Sequence, residues 1–211
     1  MAWPGVVLLG VWHGVNPGMG WLFAVALGLQ HRERRAVWRA FPPLALGHAL
    51  AVAGALLIAV SLEVVVPVSV LRWVVGMILV GFGISKFVSS RHPRYGGMLV
   101  NARQLTVWSA LMAAAHGAGL MVVPFVITGT SQDLTGGPHA GHLAAVVTGP
   151  GAEAAVMATM FHTVGYLSTA CLVAFLVYEY LGVSVIRRWW VNLDRIWAGT
   201  LTATGVLTPL W

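Results

Sequence analysis

The chain divides into long apolar runs separated by short polar punctuation. No Asp, Glu, Lys or Arg occurs from Met1 to His31, and Ala40 to Leu62, Gln104 to Gln132 and Ala154 to Tyr178 are equally free of charge. A helix that crosses a bilayer needs about 20 predominantly apolar residues, and each run is long enough. Backbone groups in lipid must be satisfied within the segment, which leaves helices or a closed barrel. Barrel strands alternate apolar and polar side chains over about ten residues. These runs are continuously apolar and rich in Ala, Leu, Val and Gly, so the pattern predicts an all-α membrane protein. Six transmembrane helices are expected, at about Val6 to Gln30, Phe41 to Ser61, Val68 to Val88, Leu105 to Thr128, Ala152 to Tyr180 and Trp190 to Leu210. They form a single transmembrane domain over 1–211, with no soluble domain.

Composition agrees with the pattern. Hydrophobic residues make up 58% and charged residues 9%, against roughly a quarter charged in soluble domains, so the charges are too few to wet a surface of this size. The net charge of +6 would suggest nucleic acid, but the basic residues sit between spans, where topology accounts for them. The expected partner is the lipid bilayer, with a homo-oligomer or a larger membrane complex as further possibilities, and no nucleic acid. The single cysteine, Cys171, excludes a disulfide within the chain. The N-terminus lacks the basic region of a cleaved signal peptide.

Charge also sets an expected orientation. Arg32, Arg34, Arg35 and Arg39 follow span one; Lys86, Arg91, Arg94 and Arg103 follow span three; Arg187 and Arg188 follow span five. Cytoplasmic loops carry the excess of Lys and Arg, so these three loops read as cytoplasmic and both termini as non-cytoplasmic, in a multi-pass protein of the bacterial inner membrane. The opposite face has Glu63 and the segment 129–151, with Asp133 and no Lys or Arg; only Arg72 departs, and it can snorkel or pair with Glu63. Trp3, Trp38, Trp73, Trp189, Trp190 and Trp211 lie near expected span ends, where amphipathic rings prefer to sit.

The polar punctuation inside the spans repeats. Span one reads GVWHGVNPGMGW and span four AAAHGAGLMVVPF: small residues, His-Gly, more small residues, a proline. Spans two and five each carry a lone histidine in their first half, His48 in GHALAVAG and His162 in FHTVGYLS. Repeat one, about 1–100, thus matches repeat two, about 101–211. A three-span unit is odd-numbered, so its second copy is inverted in the membrane, an architecture of transporters whose site lies near the midplane between the halves.

Four histidines, His13, His48, His116 and His162, lie within spans. Ionisable residues at membrane depth are rare and face a bundle interior or a cavity, and neutral imidazole is a common ligand of transition metals. Interhelical hydrogen bonding alone is the plainer role for any one of them. Asn16 is three residues after His13 and would share its helix face, while Pro17, Gly18 and Gly20 predict a helix break beside His13. Met112 precedes His116 by four residues, and Tyr166 follows His162 by four. His139 and His142, in HAGH, form a weaker candidate for cation capture in the outer loop. Nothing in the chain resembles a catalytic serine elbow, a phosphate-binding glycine loop, CxxC or HExxH, so no enzymatic activity is expected.

The segment from His13 to Gly20, HGVNPGMG, resembles the first-span motif of the LysE-type exporter superfamily, especially its nickel/cobalt exporter branch, in which a histidine is followed by Pro-Gly and a second histidine or an acid. The resemblance implies six spans in two inverted triplets. RHPRYGGM, LTVWSALMAAAHGAGLMVVPF and NLDRIWAGTLTATGVLT also resemble a group of short bacterial six-span membrane proteins. The chain departs from the metal-exporting branch in having Met19 where a second histidine or acid stands, and in lacking a His-rich cytoplasmic loop.

Together these features predict a secondary transporter that exports a small cation through a midplane site of His13, Asn16, His48, His116 and His162. A transition-metal ion (Ni, Co, Zn or Cu) would be the substrate, and no resident cofactor is required. Two alternatives remain open: an accessory subunit or assembly factor of a larger membrane complex, and an exporter of a small organic solute, against which stands the lack of a carboxylate–arginine pair to hold a zwitterion.

Overall fold

Prolines and glycines decide where the long apolar runs bend. A computed structural model describes residues 3–63, 65–88, 101–130, 150–181 and 193–210. Among the described residues there are eight α-helices and no strand. They are α1 (Trp3–Val15), α2 (Trp21–His31), α3 (Arg34–Glu63), α4 (Val68–Val88), α5 (Ala102–Ala115), α6 (Ala118–Thr130), α7 (Pro150–Leu176) and α8 (Leu193–Leu207). A 3₁₀ turn, Pro17–Met19, joins α1 to α2; a π turn, Val177–Leu181, continues α7; a second 3₁₀ turn, Thr208–Leu210, ends α8.

Three of these elements are long and apolar enough to cross a membrane: α3, α4 and the continuous helix Gly151–Tyr180. The pair α5 and α6, bent by 61° at its break, makes a fourth if counted as one span. Exposed apolar side chains run along α4, among them Val70, Trp73, Met77, Ile84 and Val88. A helix with that outer face and few charges belongs against lipid, and the chain reads as a multi-pass membrane protein.

Several expected boundaries shift. The first apolar run forms not one helix but two short ones, of 13 and 11 residues, because Asn16 to Gly20 turn the chain. The fourth run breaks at His116 and Gly117, with Gly117 at a φ of 70°. The third helix begins at Arg34 rather than Phe41 and runs through Pro42 and Pro43. Each proline removes one backbone donor, and the carbonyls so released belong to Trp38 and Arg39, whose residues are exposed. Glu153 sits in the first turn of α7, where a carboxylate suits the helix dipole. His139, His142, His92 and the loop 131–149 lie outside the described residues.

Packing follows a cross-over pattern. The most extensive helix contacts are α1 along α7, α4 against α8 and α5 along α3. Small residues permit them, as membrane interfaces without a hydrophobic driving force require. A Cβ built on Gly10 would collide with the His162 carbonyl, and one on Gly47 with the Thr106 carbonyl. Gly76 and Gly205 face each other, each 2.8 Å from the other's carbonyl by the same construction. At the other end of α7, Arg34 Nε pairs with Glu179 Oε1 at 2.7 Å as an ion pair, tying the π turn to the start of α3.

Buried apolar side chains form two clusters. One gathers Val6 of α1, Val52 to Val60 of α3 and Ala154 to Ala158 of α7 around Leu79, Met121 and Leu201. The other gathers Val25 of α2, Val37 to Leu44 of α3 and Tyr166 to Val177 of α7. Along α3 the junction falls at His48, along α7 at His162, and along the first run at His13.

Candidate functional site

At that junction three imidazoles meet. His13 on α1, His48 on α3 and His162 on α7 are essentially inaccessible, at 0%, 1% and 0% exposure. Their ring centroids form a nearly equilateral triangle: 5.4 Å from His13 to His48, 5.2 Å from His13 to His162 and 5.4 Å from His48 to His162. Helices distant in sequence bring them together, and the glycine contact at Gly10 sets the spacing of two of them, since Gly10 lies one turn before His13 and abuts the His162 backbone.

The ring nitrogens are poorly served by the protein. Both nitrogens of His13, both of His162 and Nε2 of His48 are buried without a hydrogen-bond partner. The Val6 backbone is the polar group that comes nearest to serving the His162 ring. Leaving a buried polar group unpaired costs about 1–3 kcal/mol. Five such atoms at one point in an apolar core are hard to explain by packing alone, and an orphaned buried polar group points to a functional role.

Two helix breaks flank the triangle. At the first, Asn16 caps the 3₁₀ turn by accepting from Gly18 N at 2.9 Å, and Gly20 takes a φ of 112° that a residue with a side chain rarely adopts. Asn16 therefore does not share a helical face with His13, as the spacing had suggested, because the helix stops at Val15; its side-chain Nδ2 is buried and unpartnered. At the second break His116 Nδ1 meets the Met112 carbonyl at 2.8 Å. A carbonyl only accepts, so in the neutral ring Nδ1 carries the proton and Nε2 keeps its lone pair. Met112 thus engages His116 through its backbone carbonyl. The two breaks adjoin: a Cβ on Gly18 would lie 3.4 Å from His116 Nε2.

Aromatic donors satisfy the carbonyls that the breaks release. Trp21 Nε1 donates to Val15 O at 3.1 Å, Tyr166 Oη to Met19 O at 2.7 Å and Trp197 Nε1 to His116 O at 2.8 Å. The same rings pack on the histidines. Tyr166 stacks on His48 at 4.0 Å, and Trp197 meets His13 edge-on at 4.2 Å while lying parallel to Trp12 at 6.5 Å. Sequence reasoning noted Tyr166 only for its spacing and passed over Trp12, Trp21 and Trp197. A signal was present: six of the ten tryptophans fall near span ends, and these three do not. Replacing Trp197 by phenylalanine keeps most of the packing and removes the indole hydrogen bond to the His116 carbonyl. We expect a loss of about 1–3 kcal/mol, read as a lower melting temperature in detergent; an unchanged melting temperature would show that the indole N–H does not hold the break.

Of the five expected site residues, the structure groups His13, His48 and His162 in one cluster and sets His116 and Asn16 at the adjoining breaks. Among the described residues no group of three or more His, Cys, Asp or Glu side chains is arranged to hold a metal ion. The spacing of the rings is nevertheless that of ligands. Imidazoles bound to one ion at nitrogen–metal distances near 2 Å have ring centroids roughly 5.2–5.5 Å apart for tetrahedral to trigonal angles. Torsion about the Cβ–Cγ bond of a histidine is broad and moves the nitrogens more than the centroid. Comparison with known proteins gives no match, whether to a family model, a curated protein or a solved structure.

Proposed function

We propose that this chain is a secondary transporter that exports a small cation, a transition-metal ion in the most concrete form of the reading, through the histidine cluster. The observation that carries it is the triangle of buried, largely unpartnered imidazoles contributed by three helices at the junction of two apolar clusters. Neutral imidazole binds such ions without placing a fixed charge in the membrane.

Six spans in two inverted triplets are part of the same reading. The first triplet is α1/α2, α3 and α4; the second is α5/α6, α7 and α8. The first element of each packs on the middle helix of the other, and the third helices pack together, a swapped pairing that a two-fold duplication of three-helix units produces. Each broken element bends just after a His-Gly pair. Discontinuous helices near the midplane are where such transporters bind their substrates. The basic loops then face the cytoplasm, with the termini outside.

The test is cation flux in proteoliposomes. Saturable flux absent from protein-free vesicles is expected. Each proton taken up by an imidazole removes the lone pair an ion needs, so equilibrium binding falls on titration from about pH 8 to about pH 4, across the range where imidazoles protonate. Flux indistinguishable from empty vesicles for every transition-metal cation tried would end this reading, and binding that rises on acidification would remove the histidines from it.

A further inference from the structure

One face of α3 carries arginines at its start and apolar side chains beyond them. Leu46, Leu50 and Leu57 follow Arg39 by 7, 11 and 18 residues, which at 3.6 residues per turn sets all four on one line along the helix. All four are exposed, the leucines at 55%, 57% and 41%. Arg35, also exposed, stands one turn before Arg39, and the exposed Trp38 falls between them. Both arginines therefore belong to the helix itself and not to the loop that precedes it. Among the described residues Arg34 is paired with Glu179, and no ion pair is found for Arg32, Arg35 or Arg39. The whole chain has 12 Lys and Arg against 6 Asp and Glu, so its own carboxylates cannot neutralise them all. A second helix adds to the same end. Leu105 joins the cluster of Val37 to Leu44, and Ala113 joins that of Val52 to Val60, so α5 runs parallel to α3 and places the exposed Arg103 at this end too.

From this we infer that the outer face of α3 is a binding site for an anionic phospholipid, with the phosphate at Arg35 and Arg39 and an acyl chain along Leu46, Leu50 and Leu57. The inference is independent of the transport reading. Helical side chains lean toward the N-terminus, and the long arginine stem lets its charged head sit at the membrane surface. The guanidinium fork matches phosphate oxygens. From Arg39 to Leu50 is eleven residues, about 16 Å of helix and close to half of a hydrocarbon core of about 30 Å. The line of leucines thus has the length of an acyl chain in one leaflet, directly below the arginines. Trp38, whose ring lies 5.9 Å from that of Phe41, stands at the depth that indole rings prefer. A soluble polyanion would meet the arginines and leave the leucines uncovered. A second copy of the chain, joined by a two-fold axis on this face, would bring like patch to like patch and oppose arginine to arginine. A choline headgroup carries its own cation, which the two arginines repel, so a headgroup with net negative charge is favoured.

The experiment offers the full chain, stripped of lipid in mild detergent, equal amounts of phosphatidylglycerol and phosphatidylcholine with identical acyl chains. Native mass spectrometry counts the lipid retained. A basic residue near an anionic surface contributes about fivefold in affinity, so Arg35 and Arg39 together give an expected preference for phosphatidylglycerol of about thirtyfold. That preference should fall at least about tenfold in Arg35→Gln/Arg39→Gln and persist within about threefold in Arg35→Lys/Arg39→Lys, which keeps the charge. Lys86→Gln/Arg195→Gln removes as much charge elsewhere and should leave the preference intact. Arg35 and Arg39 are exposed, so melting temperatures should match the parent; if the glutamine pair melts early, the parent's preference and the Lys86/Arg195 control decide. Equal retention of the two lipids by the parent would overturn the inference. Equal losses in the two glutamine pairs would also overturn it, because the attraction would then be diffuse and not sited. So would deacylated glycerophosphoglycerol binding as tightly as the whole lipid, since the leucines would then take no part.

Discussion

Replacing His13 by alanine should abolish the saturable cation flux proposed for this chain while leaving the helices assembled. His13 is the vertex that faces both other histidines and Trp197. On the proposed reading His13 is one of three ligands, and its removal should lower ion affinity by at least about a hundredfold, since loss even of groups that only orient a ligand costs 10–100-fold. The fold should tolerate the change. Deleting a buried ring leaves a cavity, which destabilises, but here it also deletes two buried nitrogens that had no hydrogen-bond partner, which offsets part of the loss. The flux assay and a melting curve on the same preparation separate the two effects. His116→Ala should reduce flux less, because that ring is committed to the Met112 carbonyl and stands at the adjoining break. Near-native flux in His13→Ala, with the protein folded, would remove the cluster from the transport path.

Gly10→Ala should be among the most destabilising single-methyl substitutions in the chain. The added Cβ would fall on the His162 carbonyl, with Tyr166 N 3.0 Å away. Both are backbone atoms of α7 and cannot swing aside as a flexible side chain would. Helix α1 must therefore retreat from α7. Overpacking of this kind costs about 1–3 kcal/mol, occasionally more, and it also spreads His13 from His162. Gly54→Ala provides the control, because a Cβ there meets open space and alanine is the better helix former by about 1 kcal/mol. Thermal unfolding in detergent should show Gly10→Ala well below the parent and Gly54→Ala at or above it. Equal melting temperatures for the two variants would refute the close α1–α7 contact.

Much of this was readable along the chain. The apolar runs without charge specify helices in lipid because the bilayer leaves the backbone no other way to satisfy itself. The stretch Val68–Val88 forms a helix with the expected bounds, since it holds no internal proline and its charged residues, Arg72 and Lys86, lie toward its ends. The break after His13 was legible in Asn16, Pro17, Gly18 and Gly20, whose effects are local: a side-chain cap, a missing donor and a backbone free to adopt positive φ. The break at His116 and Gly117 was less so. A lone glycine is tolerated within helices, and this one turns where its missing side chain leaves room for Leu201 and Phe82, which approach to 3.1 and 3.3 Å of a built Cβ.

Reading along the chain is enough to place it in a membrane and to bend the first apolar run. These follow from transfer free energies and local backbone chemistry, which depend on neighbours in sequence. Only the tertiary structure decided that His13, His48 and His162 share one triangle while His116 stands at the neighbouring break, and that Tyr166, Trp21 and Trp197 close the released carbonyls. Those outcomes depend on which helix faces cross, and crossing is set by glycine contacts such as Gly10 on α7 and Gly47 on α5. A histidine's depth is a property of its own segment, whereas its partners belong to other helices, from 35 to 149 residues away within the triangle.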